Sequence, residues 1–76
     1  MNQVFIVEEG SSGDPTVTVG AFFSFESAKA RAIKEAKNGW GNDLSGCEII
    51  ERDTDVPFVI RTDYCFVRVV KHEVLP

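Results

Sequence analysis

Val17 to Ala36 reads VTVGAFFSFESAKARAIKEA, a β-patterned run that passes through one serine into an alanine-rich segment. Thr16 to Phe23 alternates strictly. Val17, Val19, Ala21 and Phe23 fall on one side of an extended chain, and Thr16, Thr18, Gly20 and Phe22 fall on the other. Ser24 is placed to accept from backbone N–H groups at a helix start, and Glu26 suits the positive end of the helix dipole. At 100° per residue Phe25, Ala28, Ala32 and Ala36, with Ile33 at the margin, form one stripe. A stripe made mostly of alanine lets a helix lie close to a sheet. The passage therefore predicts a strand that feeds a helix, with Phe23 and the alanines on the covered side and Phe22 facing away.

Working outward, Gln3 to Glu9 (QVFIVEE) is a first strand, and Gly10 to Pro15 (GSSGDP) supplies the turn that pairs it antiparallel with the second. Asn38-Gly39 is the expected helix end, followed by Trp40 in a glycine-flanked loop. Cys47 to Arg52 is a third strand, and Asp53-Thr54-Asp55 a turn. Val56 to Arg61 and Tyr64 to Leu75 form a closing hairpin around Thr62-Asp63, with Pro57 restricting the former to an edge or a strand start. The expectation is a single α+β domain over residues 1–76, in ββαβββ order, with an antiparallel sheet of four to five strands and one helix on one face.

The chain has 76 residues, 43% of them hydrophobic and 26% charged, within the range of a folded domain near the lower size limit for a self-sufficient core. No apolar run approaches the roughly 20 residues of a membrane helix, and the start lacks the pattern of a secretory signal. The expected location is the cytoplasm of a bacterial host cell, with no membrane contact. The net charge is −4. Lys29, Arg31, Lys34 and Lys37 against Glu26 and Glu35 give the helix +2, leaving −6 for the rest. Such a surface is a poor grip for phosphate backbones, so direct nucleic-acid binding is not expected.

Motifs for chemistry are sparse. Cys65 and His72 lie seven apart, which points them to opposite faces of one strand, and Cys47 beside Ile49 reads as a packed thiol. Glu48, Glu51, Asp53 and Asp55 cluster within eight residues, and Asp14 and Asp43 sit in loops, without the spacing of a calcium hand. The glycines around Trp40 follow a helix, where a phosphate-cradling loop would open one. No enzymatic activity, cofactor or metal is expected.

Apolar residues are in surplus. In the last strand Cys65, Val67 and Val69 share one side while Tyr64, Phe66, Val70 and Val74 share the other, and Ile49 and Ile50 oppose each other in the third. One helix covers one side only, so the other meets a second copy, a partner, or a closing hairpin that curls over it. Burying about 600 Å² there yields about 15 kcal/mol gross, before the costs of association. The expected contact residues are Phe22 and Phe66 on the sheet, Trp40 as a loop anchor unless it folds back to cap the open end of the core, and Glu48, Glu51, Asp53 and Asp55, either a solvated edge that resists aggregation or an acidic edge suited to a basic groove.

QVFIV, a Gly-Asp turn, VGAFFSFESA, a helix and then GW together resemble a family of small uncharacterised bacterial and phage proteins. These begin with a strand like KVYVV and continue GVFSSEEKA. The likeness covers the first two-thirds of the chain and is most specific from Gly20 to Ala28; the long closing strand departs from the family's short acidic tail. The resemblance implies no catalytic residues. By analogy with phage accessory products such as anti-CRISPR inhibitors, it implies a protein that binds and blocks a host protein or nucleoprotein complex of a CRISPR-type defence. A homodimeric structural or regulatory domain is the alternative.

Overall fold

A computed structural model of the chain describes residues 2–74. It is an α+β fold: β1 (Asn2–Ser11), β2 (Val17–Phe22), α1 (Phe25–Trp40), β3 (Glu48–Glu51), β4 (Phe58–Arg61) and β5 (Cys65–Val74). All strands pair antiparallel in one sheet of order β2-β1-β5-β4-β3. Leu75, assigned from the sequence to the last strand, lies outside the described residues.

The two long strands occupy the centre. β1 and β5 pair along their whole length, from Asn2 opposite Val74 to Ser11 opposite Cys65. Each then receives its neighbours through hairpins, β2 on one side and β4 then β3 on the other. The helix packs over β1, β5, β2 and β4 on one side of the sheet, from Phe25 beside Phe5 at one end to Trp40 at the other end, where β1 stops and β2 begins. Its 16 residues span about 24 Å, most of the roughly 33 Å length of the two 10-residue central strands.

Ser24 caps α1 as its sequence position demands: it is extended, at φ −118° and ψ 133°, and its Oγ accepts from the Ser27 N–H at 3.3 Å. Ala28, Ala32 and Ala36 are fully buried against Val7, Ile60 and Val69, with Phe5, Phe58 and Val67 completing the core. Phe5 and Phe25 meet at 5.8 Å between ring centroids in a tilted pair.

The helix does not end at Asn38-Gly39. It runs through Gly39 to Trp40, and the reversal falls on Gly41, whose φ of 100° admits glycine readily and whose N–H donates to the Lys37 carbonyl at 3.0 Å. Trp40 packs against the core from the last turn, and burying so large a ring outweighs the cost of about 1 kcal/mol for a glycine inside a helix.

The alternation of the second strand is also corrected. Val7 pairs with Gly20 but Glu8 pairs with Thr18, so Val19 is an extra residue in a β-bulge. A one-residue insertion reverses which side faces the helix. Beyond it Phe22 sits directly opposite Phe5 and packs on the core, while Phe23 lies past the strand end and is 84% exposed. The assignment of Phe22 to the outer face and Phe23 to the core is therefore exchanged.

Candidate protein-binding surfaces

Among the described residues no helix lies on the far side of the sheet, and the closing hairpin does not curl over it. Register defines its rows. Thr18, Glu8, Arg68, Val59 and Ile50 stand side by side across all five strands; Ala21, Ile6 and Val70 form a second row, and Gly10, Phe66, Arg61 and Glu48 a third. Ile6, Val70, Val59, Ile50 and Phe66 are each half-buried by their neighbours alone. The Phe66 ring lies over Gly10 so closely that a Cβ there would come within 2.7 Å of it.

Charges on this face are paired within it. Arg68 Nε donates to Glu8 Oε1 at 2.8 Å, and Arg61 Nε to Glu48 Oε1 at 2.6 Å. The Arg68 guanidinium also sits 4.9 Å from the Phe66 ring centre. Apolar side chains thus alternate with two ion pairs whose charges cancel.

The expected acidic edge is divided. Glu48 points to the open face and pairs with Arg61, whereas Glu51, opposite Phe58, points to the helix side and accepts from Lys29 Nζ at 2.8 Å. That bond to Glu51 holds the Lys29 ammonium above its ordinary value of 10.5. Of these four carboxylates, Asp53 and Asp55, exposed in the β3–β4 loop, stay outside the ion pairs of the described residues. A period of two sends Glu48 and Glu51, three apart, to opposite sides.

Of the other residues singled out from sequence, Phe66 is on the open face as its alternation requires. Trp40 is on the helix, half-buried, and lines a cleft of about 280 Å³ with Glu9, Asp14, Pro15, Val17, Cys65 and Phe66. Phe22 belongs to the helix side. Reading from sequence missed Val4, Ile6, Val59 and Arg68. The signal for Val4 and Ile6 was the parity of QVFIVEE, which sends them with Glu8 to one side once Phe5 and Val7 are known to face the helix.

Cys65 pairs with Ser11 on the helix side, and His72 pairs with Val4 on the open side, so the two do not share a face. Both cysteines are free thiols. Among the described residues no three His, Cys, Asp or Glu side chains stand close enough to hold a metal ion, and no helix is long and apolar enough to cross a membrane. In the loop after α1, Asp43 Oδ1 accepts from the Ser45 backbone N–H at 3.0 Å, which holds its carboxyl below its ordinary value of 3.8. Comparison with protein-family models, curated proteins and solved structures returned no match.

Proposed function

We propose that this chain is a non-enzymatic interaction module that self-associates through the open face of its sheet. The observation that carries the reading is the arrangement of that face: rows of Ile6, Val70, Val59 and Ile50 among ion pairs that leave no net charge, on a chain of net charge −4. Two copies meeting there bring apolar rows together without opposing like charges. The residues of the five strands, each covering about 3.3 Å by 4.8 Å of sheet, give about 500–600 Å² per copy, at the low end of specific interfaces, so the dimer is expected to form at micromolar concentration. Sedimentation of the purified chain across a concentration series tests this. Ile6→Asp or Val70→Asp should leave a monomer, and Ile49→Asp, on the helix side of β3, should leave the dimer intact. A wild-type monomer at high micromolar concentration refutes it.

A second reading, a blocker of a host defence complex, is favoured by one observation. The four ion pairs cancel, and outside them eight carboxylates, Asp53 and Asp55 included, outnumber four cations. Such a surface suits a basic, nucleic-acid-binding partner. Displacement of nucleic acid from a purified CRISPR-type complex, weakened by Asp53→Asn with Asp55→Asn, supports it; no displacement at micromolar concentration overturns it.

A further inference from the structure

The cleft under Trp40 belongs to neither reading. It opens between the last turn of α1 and the end of the sheet where β1 stops and β2 begins, and its volume of about 280 Å³ suits one side chain better than a cofactor. Glu9 and Asp14 are its charged lining residues, and no cation lines it. Glu9 stands opposite Val17 and Val67 on the helix side, half-buried, and among the described residues its carboxylate makes no hydrogen bond or ion pair. Asp14 Oδ2 accepts from Ser11 Oγ at 2.7 Å, leaving the other oxygen open. The indole of Trp40 supplies an aromatic wall at the negative end of the helix, and Pro15, Val17 and Phe66 supply apolar ones.

We propose that this cleft seats the guanidinium of an arginine side chain from a partner protein. A bare metal ion is excluded by the lining, because calcium asks for six to eight oxygens and Trp40, Pro15 and Val17 offer none from their side chains. An organic cation matches it: methylenes against the apolar walls, charge against the carboxylates. Guanidinium fits better than ammonium because it is flat, weakly hydrated, stacks on an indole and presents paired N–H groups to a carboxylate such as that of Glu9.

Trp40 is the sole tryptophan of the chain, so its fluorescence reads the cleft directly. The probe is a blocked Gly-Arg-Gly peptide, titrated beside the same peptide with lysine or with uncharged citrulline. A saturable change with a millimolar Kd is expected for arginine, about fivefold weaker for lysine and absent for citrulline. Glu9→Gln should weaken arginine binding about fivefold while the urea midpoint is held or raised. Equal response to citrulline or lysine, no saturable change with arginine, or full affinity in a folded Glu9→Gln variant overturns the proposal. Self-association does not enter the readout, because Ile6→Asp leaves the cleft lining untouched and should bind the peptide equally.

Discussion

Phe22 and Phe23 are neighbours of identical chemistry, and the bulge at Val19 gives them opposite fates. Replacing each with alanine isolates that effect. Phe22 packs on the core beside Phe5, and its ring also lies 3.2 Å from where a Gly20 Cβ would be. Truncation removes about 100 Å² of buried apolar area, which at about 25 cal/mol per Å² is about 2.5 kcal/mol. Phe23, at 84% exposure, should change stability by less than about 0.5 kcal/mol. In urea unfolding, with a slope of about 1 kcal/mol per M for so small a chain, Phe22→Ala should lower the midpoint by about 2.5 M and Phe23→Ala by under about 0.5 M. Measurement at low protein concentration separates folding from self-association. If Phe23→Ala costs as much as Phe22→Ala, or more, the bulge and the phase of β2 are wrong.

Two further outcomes follow from the packing and the loop. Ala32 is fully buried beneath the helix, so Ala32→Leu should push α1 off the sheet and cost about 1–3 kcal/mol in thermal or urea unfolding, while Ala30→Leu on the exposed side should be near neutral. Asp43, held below 3.8 by the Ser45 N–H, lends the loop stability that is present above that value and lost as pH falls through its lower folded value; a carboxyl NMR titration should show Asp43 protonating after an unperturbed aspartate, and titration at or above 3.8 would contradict the bond.

The candidate surfaces were partly legible from sequence. Phe66 and Val70 could be placed on the open side of the last strand because Tyr64 to Val74 keeps a period of two without interruption. Phe22 could not, since a bulge is a property of two strands in register and leaves the alternation of one strand intact. The acidic cluster misled for a similar reason. Glu48 and Glu51 are close in sequence, but the pleat sends them to opposite sides, where Arg61 and Lys29 neutralise them.

Local chemistry in the sequence was sufficient for the elements: β-branched alternation for the strands, Ser24 for the helix start, an alanine stripe for close packing, and turn residues between them. Those signals act over a few residues, so they survive without knowledge of the rest of the chain. Tertiary structure decided what depends on distant partners. The pairing of β1 with β5 set the strand order, the fit of Trp40 against the core moved the helix end to Gly41, and the register of β1 on β2 chose which phenylalanine in Val17 to Ala36 is buried. Each is settled by residues far apart in sequence coming into contact, and that contact energy outweighs the local preference it overrides.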